Sequence, residues 1–466
     1  MSVTTTDVIN ADAKILALGQ EQFNDTGYDL SELPIKDDST LFSQEVRIEP
    51  VGDANLTNRW NRENEMIEFS YNNINDIYIP SEIQAKIEFT CTTHLDNGNA
   101  QNFADATDVV ISPHINIVQE LVQRHELMIN NERADDNDNT GKCDSILKLT
   151  HTVKDWSETN GTLECYYPEY DAANTGNTAG TITLKRRNRI LPANGANSRA
   201  VHAEITLPIP FWRENKKYLK MPFTLRLYRA NNNRLFHVSG NGNACIPRIT
   251  VTRFSLIIPT IKPNLQQIMS YDQQLLTDYM LQYTSIRSER RVIPANQGEY
   301  NGTFNFKARP SKVIIAFQDQ TRTDTQLAVQ TVHACPYIYD NLAITFMEVS
   351  LNGSKIMPTI KDSNFTTGDY VDIYRRALQA TGSLHSFDGG SSLTYENFGT
   401  MYPLFIFDTK NSNYSNIPEI NKELTDFRYT FRGTVANPVY MYVICLYDTV
   451  MSVKGGAAIV RKIYGD

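Results

Sequence analysis

A succession of strand-like segments separated by polar turns fills the second half of this chain and most constrains its fold. These segments are SKVIIAFQDQ (311–320), AITFMEVSLNGSKI (343–356), YPLFIFD (402–408), DFRYTFRG (426–433) and PVYMYVICLYDTVMSV (438–453). In DFRYTFRG, Phe427, Tyr429 and Phe431 recur at every second position, which is typical of a strand with one buried face. Together the segments predict one complete antiparallel β-sandwich.

The first half of the chain repeats this pattern. In EIQAKIEFTCTT (82–93) the apolar residues from Ile83 to Cys91 occupy alternate positions, and FTLRLYRA (223–230) and ITVTRFSLII (249–258) alternate in the same way. Asn352-Gly353 predicts a tight hairpin, because both residues tolerate positive φ. HELMINNER (125–133) contains a comparable but weaker turn. We therefore predict two copies of one fold.

Three segments between or within the sandwiches have helical spacing. KPNLQQIMSYDQQLLTDYMLQ (262–282) predicts a stiff linker helix between the sandwiches. The residues expected to pack in the linker are Leu265, Ile268, Leu275, Leu276 and Tyr279. A second helix is predicted around Ile146, Leu149, Val153 and Trp156. A third is predicted over 369–381, capped by Gly382, and its aromatic face is expected to exceed what one sandwich can cover.

The predicted organisation has five parts: an N-terminal arm (1–40), a first sandwich (41–261), the linker helix (262–283), a second sandwich (284–453) and a C-terminal tail (454–466). In the tail, Gly455 and Gly456 are expected to end the last strand. The following residues are then predicted to dock on a neighbouring subunit during assembly: Ile459, Val460, Arg461, Lys462, Ile463 and Tyr464.

Charge and cysteine content exclude several classes of protein. A formal net charge of −9 argues against a protein that coats DNA electrostatically. No apolar stretch is long enough to span a bilayer, and the first residues lack a secretory signal, so synthesis in the cytoplasm or nucleus without secretion is predicted. The six cysteines form no CxxC pair, which predicts free thiols in strands.

Catalytic motifs are not found in the sequence, so no enzymatic activity, catalytic residue, cofactor or metal is expected. His333 and Cys335 share a strand face, but without a second pair nearby we expect them to be packed residues. The basic run Lys185, Arg186, Arg187 and Arg189 predicts a solvated loop or a subunit contact. Arg290 and Arg291 are expected to pair with carboxylates across the seam between the sandwiches.

In type and order, the segments from 311 to 453 resemble the second jelly roll of the double jelly-roll major capsid proteins of Polintons (Mavericks), virophages and polinton-like viruses. DIYIPSEIQAKIEFT (76–90) and ITLPIPFWRENKKYLKMPFTLRLYR (205–229) resemble parts of the first. The resemblance implies an all-β chain of two tandem jelly rolls with short helices in the loops.

The same resemblance implies a function in the virion of an icosahedral double-stranded DNA virus. The chain is expected to form homotrimeric, pseudo-hexameric capsomers that contact one another and penton and minor capsid proteins. Sequence-specific nucleic acid binding is not expected, and contact with an inner membrane stays open. Residues 453–456, VKGG, also resemble the Gly-Gly sites cut by adenovirus-type maturation proteases.

Other functions compatible with an all-β, motif-poor chain stay open. A jelly-roll scaffold protein that shapes a viral membrane is the closest alternative. A carbohydrate- or receptor-binding sandwich would more often carry a secretion signal and clustered tryptophans, whereas this chain has three, at 60, 156 and 212. A hydrolase on the same scaffold would need a carboxylate pair or a metal cluster. The host, the triangulation number of the capsid and the outward-facing loops are not predicted.

Overall fold

Strand β4 (Gln84–His94) shows why these segments form sandwiches. Its odd-numbered residues Ala85 to Cys91 are buried while the intervening residues are partly exposed, as the alternation predicts. A computed structural model describes residues 40–73, 76–94, 99–100, 109–168, 182–193, 195–216, 219–240, 246–263, 279–306, 308–320, 336–385, 391–409, 425–454 and 459–464. The predicted N-terminal arm therefore lies outside the described residues, except for Thr40.

The described residues of the first half form eleven strands. In chain order they are β1 (Thr40–Ile48), β2 (Met66–Tyr71), β3 (Ile77–Tyr78), β4, β5 (Val109–Pro113), β6 (Val122–Ile129), β7 (Glu132–Asn137), β8 (Ser198–Ile205), β9 (Phe223–Arg229), β10 (Phe236–Gly240) and β11 (Ile246–Pro263). Two sheets have the orders β1-β11-β4-β8 and β2-β9-β6-β7. The short β3 pairs with β11, and β10 pairs with β5.

Nine strands lie in the part of the second half that the structure describes. They are β12 (Tyr279–Ile293), β13 (Glu299–Phe306), β14 (Lys312–Asp319), β15 (Phe346–Leu351), β16 (Ser354–Lys355), β17 (Leu404–Asp408), β18 (Thr425–Arg432), β19 (Val439–Lys454) and β20 (Ile459–Tyr464). Their sheets have the orders β12-β19-β14-β17 and β13-β18-β15-β16, and β20 pairs with β19.

Both halves have one topology. When the principal strands of each half are counted along the chain, leaving out β3, β5, β10 and β20, the two sheets read 1-8-3-6 and 2-7-4-5 in each half. This places the first strand beside the last and is the connectivity of a jelly roll. The predicted all-β, tandem jelly-roll fold is confirmed.

The hairpin between the fourth and fifth principal strands is also repeated. Asn130 and Asn131 have φ of 47° and 66°, and Asn352 and Gly353 have φ of 48° and 80°. Positive φ at both central residues defines the turn that matches the twist of paired strands. The asparagines can adopt it because their short polar side chains tolerate the left-handed region. Both predicted turns are confirmed.

Helices and turns lie in the connections. The helices are α1 (Ile117–Glu120), α2 (Thr140–His151), α3 (Lys154–Glu158), α4 (Asn160–Leu163), α5 (Ile182–Ile190), α6 (Pro210–Glu214), α7 (Val371–Thr381) and α8 (Tyr395–Thr400). Two 3₁₀ turns cover Pro80–Glu82 and Asn232–Arg234. The helix predicted from Ile146 to Trp156 is two helices, because the β-branched Thr152 and Val153 between α2 and α3 are extended.

Helix α7 follows its prediction in position but not in exposure. Gly382 ends it with φ of 78°, the left-handed conformation of a C-terminal cap. Tyr370, Ile373 and Ala377 are buried in the core of the second sandwich, and the helix packs on β17. The expectation that its aromatic face exceeds what one sandwich can cover was wrong.

The predicted linker helix lies largely outside the described residues, including Leu265, Ile268, Leu275 and Leu276. At its described ends the chain is extended: Lys262 and Pro263 belong to β11, and Tyr279 begins β12. The next residues alternate, with Met280 exposed and Leu281 buried. Residues 279–283 therefore form a strand rather than the end of a helix.

The C-terminal tail forms a strand as well. Residues Ile459–Tyr464 pair antiparallel with Val450–Lys454, and β20 lies beside β7 of the first sandwich. All six residues assigned to an assembly arm belong to this strand, so the tail extends the sheet of its own chain. Gly455 and Gly456 lie outside the described residues.

Deletion of residues 455–466 should therefore lower the melting temperature of the protein. The deletion removes β20, and each lost backbone hydrogen bond contributes about 1 kcal/mol net to the free energy of unfolding. Differential scanning fluorimetry of the purified variant measures the change. Deletion of 465–466 alone, beyond the strand, is the control and should leave the melting temperature unaltered. Equal melting temperatures for the two deletions would contradict the role of β20 in folding.

Candidate functional site at the seam between the sandwiches

Helix α2 lies between the two sandwiches and is buried along nearly its whole length. It belongs to the first half by sequence, but Cys143, Ile146 and Leu149 pack in the core of the second sandwich. Its first turn approaches α1 so closely that a Cβ atom on Gly141 would lie 2.6 Å from the Cα of Glu120. In the described part of the chain, α2 fills the position between the sandwiches that was predicted for the linker helix.

Lys142 on α2 is a fully buried cation held by the second sandwich. Its Nζ donates to the carbonyl oxygen of Pro336 at 2.8 Å and to Gln318 Oε1 at 3.4 Å. It also lies 5.5 Å from the ring centroid of Tyr339 and 5.7 Å from that of Tyr442. Burial lowers the pKa of Lys142 to about 8, although the carboxylate of Glu120 acts in the opposite direction.

A second set of contacts joins β7 to β12. Arg287 forms an ion pair with Asp136 Oδ1 and donates to the Asp136 carbonyl oxygen at 3.1 Å. Ser288 Oγ donates to Asn137 Oδ1 at 2.8 Å. The hydroxyl of Tyr283 donates to the carbonyl oxygen of Ala134. These hydrogen bonds hold β7, an edge strand of the first sandwich, against β12, an edge strand of the second.

The seam arginine predicted from sequence was misplaced by a few residues. Arg291 contacts Glu289, the carbonyl oxygen of Thr303 and the ring of Phe304, and the guanidinium of Arg290 lies over the ring of Tyr440. These contacts are all within the second sandwich. Arg287, three residues before Arg290 on β12, does cross the seam, through its contacts with Asp136.

Each sandwich also contributes apolar residues to the core of the other. Leu281, Tyr283, Met451 and Val453 of the second half pack in the core of the first sandwich. The ring of Tyr283 meets that of Phe211 edge to face, with centroids 5.0 Å apart. The two cores are therefore continuous across the ends of β12 and β19, and the sandwiches cannot move independently without exposing apolar surface.

The basic run at 185–189 is part of α5 and not a solvated loop. Lys185 and Arg189 are exposed, but Arg186 and Arg187 are buried. Arg186 donates to Ser112 Oγ at 2.6 Å, to the Tyr167 carbonyl oxygen at 2.8 Å and to the Tyr337 hydroxyl at 3.2 Å. Since Tyr337 belongs to the second half, Arg186 is a further polar link across the seam. The interpretation as a solvated loop or subunit contact was wrong for these two arginines.

A cleft of about 600 Å3 opens on the seam. Apolar residues Leu147, Ile286 and Leu446 form part of its wall, and Lys148, Glu164 and Arg213 line its polar side. Asp144 lies behind them and pairs with Arg213 at 2.6 Å. Burial acts to raise the pKa of Asp144, but Arg213 and Lys148 outweigh it and hold that pKa below its usual value.

The described residues contain no group of side chains suited to a metal ion. No three His, Cys, Asp or Glu side chains of the described ranges could jointly hold a metal ion. His333 and Cys335 lie outside those ranges.

Cys91 and Cys445 lie in strands, as predicted, whereas Cys143 is in α2 and Cys165 follows α4. Burial raises the pKa of the Cys143 thiol to about 12. Among the described helices, none is long and apolar enough to cross a membrane.

The whole arrangement of two sandwiches and seam matches solved viral structures. A chain in the cryo-EM structure of the Sputnik virophage superposes with a TM-score of 0.63 at 12% identity, over 94% of this chain and 91% of that chain. For a chain of the PBCV-1 virus capsid the TM-score is 0.56 at 12% identity, over 94% of this chain and 100% of that chain. For the mavirus major capsid protein the TM-score is 0.54 at 11% identity, over 93% of this chain and 92% of that chain.

This chain has the double jelly-roll fold. The matches extend over nearly all of it, so they include both sandwiches and not one alone. No protein-family model and no curated protein sequence matches the chain.

Removing the ion pair between Arg287 and Asp136 should destabilise the protein through the seam. A double-mutant cycle with Arg287→Ala and Asp136→Ala should give a coupling energy of about 1 to 3 kcal/mol, because the Asp136 side chain is only 11% exposed and Arg287 also donates to the Asp136 carbonyl oxygen. Urea unfolding measures it. The exposed pair of Arg291 and Glu289 is the control, with an expected coupling of about 0.5 kcal/mol or less. Equal couplings would contradict the role of the seam pair.

Lys142 should make stability depend on pH in the alkaline range. Its unfolded pKa is about 10.4, so between pH 8 and that value the unfolded chain binds more protons than the folded chain. The free energy of unfolding should then rise with pH, by up to about 1.4 kcal/mol per unit. The Lys142→Met variant should lack this pH-dependent contribution to the free energy of unfolding.

The quantity to measure is the difference in free energy of unfolding between wild type and Lys142→Met. It should shift in favour of the wild type between pH 8 and about 10. Other titrating groups cancel in this difference. Lys154→Met removes an exposed lysine of α3, so its difference from wild type in free energy of unfolding should not change with pH. A flat difference for Lys142→Met as well would show that Lys142 has an ordinary pKa.

Proposed function

We propose that this chain is a major capsid protein of an icosahedral double-stranded DNA virus. The observation that carries the proposal is the pairing of two jelly rolls of identical strand order, fixed side by side by a buried seam. The fold is shared over nearly the whole chain with the mavirus major capsid protein and with the PBCV-1 virus capsid. Neither likeness extends to the sequence level, so function rests on architecture.

The architecture suits a shell. Three copies of a chain with two similar sandwiches present six sandwiches, which can occupy a site surrounded by six neighbours in a closed lattice. A rigid seam is needed for this, because the angle between the sandwiches sets the outline of the capsomer. The polar links of Arg186, Arg287 and Lys142 and the exchanged core residues supply that rigidity.

The surface available for contacts between copies is largely polar. In the described residues, large apolar side chains that are strongly exposed occur at dispersed positions: Val51, Met66, Leu163, Met280, Val292 and Val371. The outer face of the sheet β13-β18-β15 carries alternating charges instead, such as the pair of Arg432 with Glu299 at 2.7 Å. Contacts of this kind are reversible, which allows errors in a growing shell to be corrected.

The proposal includes finer assignments. The partners are further copies of the chain, penton proteins and minor capsid proteins. The chain is made in the host cytoplasm or nucleus and is then part of the virion. Strand β20, with Ile459, Val460, Arg461, Lys462, Ile463 and Tyr464, is proposed to contribute to assembly from within its own sheet. No catalytic role is included.

Native mass spectrometry of the purified chain at micromolar concentration tests the oligomeric state. A homotrimer is expected as the dominant species, because three double sandwiches complete one capsomer. Electron microscopy of the concentrated protein should show pseudo-hexagonal particles or closed shells. A dominant monomer at these concentrations would contradict the proposal.

The closest competing function is a scaffold protein that is absent from the mature particle. Mass spectrometry of purified virions separates the two: a capsid protein is a major component, and a scaffold is missing. The Arg287→Ala variant provides a matched assembly control. Its weakened seam should lower the yield of closed shells more than the exposed Arg291→Ala substitution does.

A further inference from the structure

A lysine and an asparagine side chain meet inside the first half, next to the seam. Lys148 Nζ lies 3.3 Å from Asn116 Oδ1 and contacts Glu164 Oε2. The Nδ2 of Asn116 donates to Asp144 Oδ2 at 2.7 Å, and the same Asp144 oxygen lies 3.4 Å from Lys148 Nζ. One amine, one amide and two carboxylates therefore form a single buried cluster.

The cluster is shielded from water. Asn116 and the side chain of Asp144 are 0% exposed, and the side chains of Lys148 and Glu164 are 6% and 11% exposed. The rings of Tyr166 and Trp156 cover Nζ, with centroids at 5.2 Å and 5.7 Å. A reaction between these groups would proceed out of contact with bulk water, where burial favours the neutral amine over the ammonium ion.

Only one of the groups in reach of Lys148 is a competent electrophile. The carboxylate of Asp144 is held ionised by Arg213, and an ionised carboxylate repels a nucleophile. Glu164 accepts from Gln119 Nε2 at 3.0 Å and from the Thr206 amide at 3.2 Å, which holds its two oxygens in place, and a carboxylate is a poor electrophile. Asn116 alone offers a neutral carbonyl carbon. An amine is a nucleophile once an adjacent base removes its proton.

We propose that Lys148 and Asn116 form an intramolecular isopeptide bond. In the first step, the Lys148 ammonium gives one proton to Glu164 Oε2. The free electron pair on Nζ then attacks Cγ of Asn116, forming an N–C bond while the carbonyl electrons move to Oδ1.

Asp144 is placed to complete the exchange. Its Oδ2 contacts both Nζ and Nδ2, so it can accept a second proton from Nζ and deliver it to Nδ2. The Cγ–Nδ2 bond then breaks, its electrons leave with nitrogen as ammonia, and the carbonyl re-forms. Ammonia takes the proton held by Glu164 and departs as ammonium. The net change is the loss of one ammonium ion, and no oxidant or further reactant is needed.

The seam cleft provides an exit, because Lys148 and Glu164 both line it. The bond would join the segment before α1 to the last turn of α2. Since α2 carries Ile146 and Leu149 into the second sandwich, the cross-link would tie the element between the sandwiches to the body of the first. This inference does not depend on the proposed capsid function.

Intact mass spectrometry of the denatured wild-type chain is the deciding measurement. The expected mass is that of the sequence less one molecule of ammonia. Trypsin should then yield a branched peptide that joins 87–124, which contains Asn116, to 143–154, in which cleavage at Lys148 is blocked. An unreduced mass would overturn the proposal. So would an ammonia loss confined to a succinimide at Asn97, which precedes Gly98 in the same tryptic peptide.

Two variants and a control identify the groups involved. Lys148→Met should show the full sequence mass, and the near-isosteric Glu164→Gln should slow the loss of ammonia by at least tenfold while circular dichroism stays unchanged. Lys154→Met, on the exposed side of α3, should react like wild type. Persistent ammonia loss in Lys148→Met would overturn the assignment. If either variant fails to fold, the wild-type mass and the branched peptide still decide the question.

Discussion

The structure depends on the burial of one helix that carries charges. Helix α2 places Lys142, Asp144 and Lys148 in the interior, where an unpaired charge costs several kcal/mol. Each charge has a partner on a different element: Pro336 for Lys142, Arg213 for Asp144 and Glu164 for Lys148. A displacement of either sandwich would break at least one of these contacts. Since Pro336 belongs to the second half, the contact of Lys142 restricts the relative placement of the two sandwiches in addition to the apolar packing.

The position of α2 explains why corresponding strands of the two sandwiches differ in burial, although both sandwiches have the same topology. In the first, β4 alternates between buried and partly exposed residues. In the second, β14 is buried on both faces: Phe317 packs against Phe431 on the inside, and Gln318 is bonded to Lys142 on the outside. An unbroken apolar run such as VIIAF marks a strand that is covered on both sides.

Alternation and turn chemistry made the fold predictable. The period of two in β4 and β18 and the hairpin at Asn352-Gly353 depend only on neighbours in the chain, so local reasoning finds them. The seam was harder to predict from the sequence, because its contacts join residues far apart in the chain. The sequence predicted a helix from the spacing of Ile146 and Leu149. The i, i+4 pair of Asp144 and Lys148 on the same helix was a signal that was not used, and it does not identify the partners of either charge.

Errors arose where exposure was judged from residue type alone. Arg186 and Arg187 were assigned to a solvated loop or a subunit contact, yet the hydrogen bond from Arg186 to Tyr337 shows that guanidinium groups can link buried surfaces within one chain. The apolar face of α7 was assigned to a subunit contact, but β17 covers it. The tail was separated from the fold by its glycines, whereas its residues pair with β19. For Arg186 the deciding partner, Tyr337, is distant in sequence, whereas for the tail it is the strand directly before it.

The exchange of core residues has a consequence for synthesis of the chain. Met451 and Val453 complete the core of the first sandwich, and β12 pairs with β19 from Ile293↔Val439 to Tyr279↔Val453. The core of the first sandwich is therefore not filled until β19 has been synthesised, although the strands of that sandwich end at Pro263. A product that stops before β19 exposes apolar surface in both halves, which makes it a substrate for quality control rather than a defective subunit.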